Sequence, residues 1–239
     1  MAHLTEADLQ RWLAAITELP RSQEAFMAWL EGPLKSFFPY RKLFMAYGEH
    51  LAGQIKTTHW LTRGHEPRYL AQLATTFELE LRGSMRWWFA HRQPFTIEPH
   101  GPPPYATVFE LDEIARFDLH NVAAHGVLNC RSTAGTYFSF CDMPGPLSDW
   151  HLEALRLMVP VLNDLYLDYI AAEIDKPAQA LEALSPQQKR IVRLVAEGQD
   201  DKSVAQALGI SEKTVRNQLS EVYARLGIAK RSQLLPLLR

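Results

Sequence analysis

Two cysteines are all that 239 residues contain. Cys130 and Cys141 form no CxxC pair, which excludes a dithiol redox site, and both suit a reducing compartment as buried small apolar residues, with a disulfide between neighbouring strands as the alternative. Histidine adds no metal motif: the spacing of His120 and His125 fits no zinc pattern, and no further Cys/His cluster supports them. No metal and no cofactor are expected. Long apolar runs are also missing. None reaches the ~18 residues of a membrane span, and Glu6, Asp8 and Glu18 break the first stretch where a secretory signal would lie. The expected location is the cytoplasm, with no membrane partner. A nucleophile elbow, a Walker loop and a dinucleotide-binding glycine pattern are absent as well, so an enzyme is not expected.

What is present is 47% apolar residues, enough for ample core, and a length that suits two domains. The net charge of −2 conceals an asymmetry. Residues 178–239 hold ten Lys/Arg against six Asp/Glu, and residues 1–177 hold fifteen against twenty-one. A basic tail on an acidic body suits a phosphate-binding module attached to a domain that avoids nucleic acid.

The most informative stretch is Leu184–Leu226. Ser185-Pro186-Gln187-Gln188 places a hydroxyl at N-cap, proline at N1 and an amide at N3, the signature of a helix start. Ile191, Leu194 and Val195 give that helix an apolar stripe, and Gly198 suits its end. Asp200 or Asp201 caps a second helix carrying Val204, Ala205 and Leu208, with Gly209 at the sharp turn after it. Ser211 caps a third, in which Val215, Leu219, Val222 and Leu226 share one face and Gly227 closes the helix. The opposite face carries Lys213, Arg216, Asn217 and Ser220, side chains able to reach phosphates and base edges.

The segments LSPQQKRIV, LVAEG, VAQALGIS, EKTVRN and LSEVYARLGI resemble the LuxR-type (NarL/FixJ-type) DNA-binding domain over about a quarter of the chain. The family usually has glutamate where Gln188 stands and an Asn-Lys-Glu run at Asp201-Lys202-Ser203. The resemblance implies double-stranded promoter DNA as partner and base contacts at Arg216, Asn217 and Ser220. Lys213 and Thr214 near the helix start, and Lys230 and Arg231 beyond its end, are placed for phosphates. It also implies a fourth helix after Ala229-Lys230-Arg231-Ser232, used for dimer contacts, which Pro236 should shorten or kink.

In the front half, Thr5-Glu6-Ala7-Asp8 opens a helix with Leu9, Trp12, Leu13 and Ile16 as its apolar face. Ser22 starts a second with Phe26, Trp29, Leu30, Leu34 and Phe37, kinked at Gly32-Pro33. LFMAYG, GQIKTTHWL, SMRWWFA and PFTIE read as strands, with a helix near Pro67–Phe77 and a surface loop at His100–Pro104. NVAAHGVLN and TYFSFCDM form a hairpin. A long helix starts at Ser148-Asp149-Trp150, runs to about Ile174 and should bend at Pro160. Its Leu155, Met158, Leu162, Leu165 and Tyr169 make a seam for packing on the sheet or for a dimer. This order predicts an α+β fold: an α/β/α sandwich over residues 1–174, a linker at 175–183, and a small all-α four-helix helix-turn-helix domain over 184–239.

The front half is similar to the GAF/PAS-like sensor domain of LuxR-type regulators, including those tied to exopolysaccharide gene clusters. The Tyr/Trp/Asp spacing of the acyl-homoserine-lactone branch is absent, since Trp60, Tyr69, Trp87 and Trp88 do not reproduce it, so that ligand is not expected. A homodimer is expected, with RNA polymerase and another small molecule as open partners. The alternatives are a sigma-factor-like promoter reader, which would need a helical melting domain, and a regulator without a receiver that answers to protein partners. A phosphorylated receiver would open with a strand ending in paired acids, whereas this chain opens with helices.

Overall fold

The computed structural model describes residues 3–51, 54–75, 78–234 and 237, with backbone alone at 50, 51, 54, 74, 75, 177 and 178. Contacts divide it into two units, Met1–Tyr169 and Ile170–Arg239.

The first unit opens with α1 (Glu6–Ile16), capped reciprocally by Thr5 and Asp8. Burial alone would raise the Asp8 carboxyl, but bonds from Thr5, Arg11 and Trp150 hold it well below the usual carboxylate range. The expected apolar face is only partly turned inward. Trp12 and Ala15 are buried, Trp12 packing on Phe37, whereas Leu9 and Leu13 are 43% and 60% exposed. One helix presents one face, and the buried Asp8 cap fixes which one. After α2 (Gln23–Trp29) the chain widens into a π turn at Leu30–Leu34 and re-tightens as α3 (Lys35–Phe37). Pro33 has no N–H for the ordinary ladder, so the turn at Gly32-Pro33 takes the wider form.

Then come β1 (Lys42–Leu51), β2 (Gln54–Arg63), α4 (Pro67–Thr75), α5 (Gly83–His91), β3 (Phe95–Ile97), α6 (Val108–Arg116), β4 (Val122–Leu128) and β5 (Ala134–Cys141). The strands form one sheet in the order β2-β1-β5-β4-β3, every pairing antiparallel. A register shift interrupts β1 against β2 after Tyr47. SMRWWFA, expected as a strand, is α5. Its fully inward residues Met85 and Trp88 lie three apart, the helical spacing. Gly83 opens α5 where a Cβ would lie 2.0 Å from the Tyr105 carbonyl oxygen, so only glycine fits the close approach.

The sheet is covered on both sides, as the sandwich reading expects. Leu43, Met45, Phe138 and Phe140 point one way and are fully buried. Phe38 meets Phe140 at 5.0 Å, and Tyr166 of α7 (Asp149–Glu182) meets Phe138 at 5.9 Å while donating its hydroxyl to the Met45 carbonyl at 3.3 Å. Phe44, Ala46, Val122 and Ala124 point the other way into a core with Trp88, Phe95, Ile114 and Phe117. Leu155, Met158, Leu162 and Leu165 are buried, so this part of the seam on α7 is a packing seam. α7 also runs further than expected, through Pro177 to Glu182, and the linker placed at 175–183 is helical over most of its length.

The cysteines part company: Cys141 is buried, which pushes its thiol up to about 12, whereas Cys130 is exposed in the turn after β4 and not in the core. Among the described residues no group of three metal-binding side chains converges, and no helix is long and apolar enough to cross a membrane.

Candidate nucleic-acid interface

The second unit is built by local capping. Ser185 and Gln188 cap α8 (Pro186–Ala196) reciprocally, with Pro186 in the first turn. Asp200 accepts from the Ser203 amide at 2.8 Å to open α9 (Asp201–Leu208), and Gly209 turns the chain at φ +65°. Ser211 accepts from the Thr214 amide at 3.0 Å to open α10 (Glu212–Leu226), and Gly227, again at φ +65°, ends it. Ile191, Val195, Val204, Val215, Leu219 and Val222 close a small core. The described part of the fourth helix, α11, is Arg231–Leu234, with Leu234 buried in the same core. Pro236, expected to shorten or kink it, lies outside the described residues.

The core fixes which way α10 faces. With Val215, Leu219 and Val222 inward, Lys213, Arg216, Asn217 and Ser220 are exposed together on the other side. Thr214 is half-buried and its hydroxyl lies 2.8 Å from that of Ser211, so it belongs to the cap as much as to the surface. The Ser220 hydroxyl donates to the Arg216 carbonyl at 3.0 Å. Arg216 is 3.9 Å from Glu212, an exposed pair too weak to hold it. Lys213, Asn217 and Lys230 have no bonded side-chain partner among the described residues. An exposed fork of donors, an amide and two ammonium groups on and beside one helix can meet phosphate oxygens and base edges.

Arg231 is placed differently from the others. Its guanidinium donates to the Gln199 carbonyl and, at 3.4 Å, to the Val195 carbonyl, and it pairs with Asp201 at 3.4 Å. These bonds tie α11 to the end of α8 and the start of α9. A phosphate would have to compete with three partners already in place.

Two features of the molecule had no local signal. Gln188, 5% exposed, donates to Glu221 of α10 at 3.1 Å. In the first unit, Arg82 forms a two-bond fork to Glu113 at 2.8 and 2.9 Å, both side chains buried. Burial opposes the charge of Arg82, but Glu113 beside it prevails and raises its pKa. Gln72 adds a 2.7 Å bond to the same carboxylate. The pair borders a cavity of about 50 Å³ lined also by Phe44, Tyr69, Leu73 and Tyr137. Burial raises both phenols. Phe44 and Leu73 are shared with an open cleft of about 340 Å³ that continues to Ile55, Thr57, Trp60 and Leu70. α6, which carries Glu113, has a capping box at Thr107 and Glu110 that the sequence spells out.

Residues 182–238 match the family described as bacterial regulatory proteins, luxR family. The spore germination protein GerE of Bacillus subtilis is 36% identical over 59 residues, which are 25% of this chain and 80% of GerE. The chain belongs to the luxR family. A putative HTH-type transcriptional regulator of Mycobacterium bovis is 44% identical over 62 residues, 26% of this chain and 7% of that relative, so the likeness spans a small fraction of the larger protein. A probable HTH-type transcriptional regulator of Streptomyces halstedii, GfsR, is 45% identical over 53 residues, 22% of each chain. Among solved structures, the N-acylhomoserine lactone-dependent LuxR family transcription factor CepR2 of Burkholderia cenocepacia aligns with a TM-score of 0.50 at 12% identity, covering 70% of this chain and 97% of its own. SdiA in complex with octanoyl-rac-glycerol aligns with a TM-score of 0.50 at 13% identity, covering 99% and 96%. At such identities these likenesses establish the fold: a luxR-family helix-turn-helix unit, and a first unit with the α/β/α architecture of LuxR-type regulators.

Proposed function

We propose that this luxR-family chain is a sequence-specific transcription regulator that binds double-stranded DNA as a homodimer in the cytoplasm and catalyses no reaction. The observation that carries the reading is the exposed face of α10, where Arg216, Asn217 and Ser220 stand opposite a fully buried stripe. Arginine suits the paired acceptors of guanine and asparagine the donor-acceptor edge of adenine, each worth about 1–3 kcal/mol of discrimination. Lys213 and Lys230 serve the phosphates, with Thr214 beside the helix start. Arg231 is assigned to the scaffold. One recognition helix reads few base pairs, so two-fold pairing supplies the remaining specificity. Residues 1–169 provide the dimer contact and the small-molecule sensor. A ligand in the first unit is compact, with a polar group toward Tyr69 and Tyr137. N-acylhomoserine lactones do not suit it, because about 50 Å³ is little room and Arg82 and Glu113 already satisfy one another. RNA polymerase is the protein partner through which a DNA-bound dimer acts.

The test is selection of an operator from random duplexes, followed by titrations of operator and random DNA at several salt concentrations. Arg216→Ala is expected to flatten the preference for operator. Lys230→Ala weakens both about equally and lowers the salt slope by roughly one. If Arg216→Ala weakens both DNAs equally, Arg216 grips the backbone and the assignment of the reading face is wrong.

A further inference from the structure

We infer that Gln188 is a positioning residue for the recognition helix, holding α10 through Glu221 in an arrangement that a glutamate at 188 would break. The inference rests on α10 being the reading helix and adds a residue from outside that helix. Gln188 sits at the third position of α8 and is 5% exposed. Its two amide ends do different jobs. Oε1 accepts from the Ser185 backbone N–H at 3.1 Å and completes the cap of α8, while Nε2 donates to Glu221 Oε2 at 3.1 Å. Gln218 Nε2 reaches the same oxygen at 3.4 Å.

Glu221 follows Ser220 directly and lies one helical turn beyond Asn217. A carboxylate at that place carries the charge of the phosphates that the reading face must approach. The Gln188 amide draws it toward α8 and adds a polar tie to the packing that turns α10, while Gln218 of α10 itself reaches the same carboxylate oxygen. Only glutamine can join the two helices in this way. An ionised glutamate would still accept from Ser185 but has no donor for Glu221, and it would set two negative charges about a hydrogen bond apart. The glutamate usual in the resembling family at this position therefore does not suit this chain. Gln188 and Glu221 act as a matched pair.

The experiment uses the full chain in four forms: wild type, Gln188→Glu, Glu221→Gln and the double exchange. Each is titrated with the operator selected by the wild type and with random DNA, and each is melted without DNA. Gln188→Glu is expected to bind operator at least tenfold more weakly and to narrow the operator-to-random ratio. The double exchange restores the same bond with donor and acceptor swapped, so it should return to within about threefold of wild type and recover most of the lost melting temperature. Failure of the double exchange to rescue overturns the inference, and so does a Gln188→Glu protein that keeps the wild-type operator-to-random ratio. A wild type that selects no sequence is a different outcome: it removes the DNA-reading assignment itself.

Discussion

Arg231→Ala separates the two roles open to a cation beside the recognition helix. Truncation removes two charged hydrogen bonds to the carbonyls of Val195 and Gln199 and an ion pair to Asp201. Fully buried, bonds of that kind contribute ~1.5–3 kcal/mol each. The Arg231 side chain is 36% exposed and the Val195 bond is long at 3.4 Å, so solvent replaces part of the loss and the ion pair counts for little. The net cost expected is about 2 kcal/mol. For a unit of this size that corresponds to a fall of about 8–16 °C in melting temperature. The molecule supplies its own control, because all six tryptophans lie at or before Trp150. Tryptophan fluorescence follows the first unit and should not move, whereas the helical signal of the second unit should melt early. Arg231→Lys keeps the charge without the planar fork and should regain less than half of the loss. In DNA titrations the salt slope of Arg231→Ala should match wild type. An unchanged melting temperature with a slope reduced by about one would refute the scaffold role and return Arg231 to the phosphates.

Three further outcomes concern the first unit and are read by tryptophan fluorescence. Glu113→Leu strands the buried Arg82 guanidinium and should cost about 3–5 kcal/mol, while Arg82→Met with Glu113→Leu recovers most of it; equal cost in both would deny the coupling. His125 accepts from Trp88 Nε1 at 3.3 Å, and burial, aided by Arg156, lowers its pKa from 6.5 to about 4; burial and Lys42 do the same for His65. The unfolded chain therefore binds more protons in that range, so stability is complete above about pH 6.5 and drains away toward pH 4, and His125→Asn should make the profile shallower and leave the share of His65. Gly83→Ala should cost about 1–3 kcal/mol, since the new Cβ collides with the Tyr105 carbonyl; a neutral result would mean that α5 shifts freely.

The helix-turn-helix unit was legible residue by residue because its determinants are local. Ser185, Asp200 and Ser211 cap within three residues of themselves, and Gly209 and Gly227 take the left-handed turns that only a short-range signal demands. The first unit was legible as layers and less so in detail. SMRWWFA reads as a strand because Trp87, Trp88 and Phe89 stand in a row and hide the period, and only packing of Met85 and Trp88 on the sheet decides for helix. Pro177 and the polar residues before it read as a break, yet α7 carries them, with Lys176 bonded to Glu173 one turn back. Contacts such as Arg82 with Glu113 and Gln188 with Glu221 join residues 31 and 33 apart and leave no mark on any local pattern. The partners of Arg231 are invisible in the same way, since Val195, Gln199 and Asp201 lie 30 or more residues before it.

The register shift between β1 and β2 sets the parity of a strand. Tyr47 pairs with His59 and Gly48 with Thr57, so Thr58 is counted by β2 and skipped by β1. An unbroken strand would send Trp60 to one side and Ile55 and Thr57 to the other. With one residue skipped, the even-numbered Trp60 and the odd-numbered Ile55 and Thr57 arrive on the same wall, facing Phe44 across the open cleft. Deleting Thr58 would make the pairing regular and still leave Ile55 and Thr57 beside Trp60, because every other pair keeps its partner. The skipped residue is therefore how β2 carries one residue more than β1 opposes without turning that wall over.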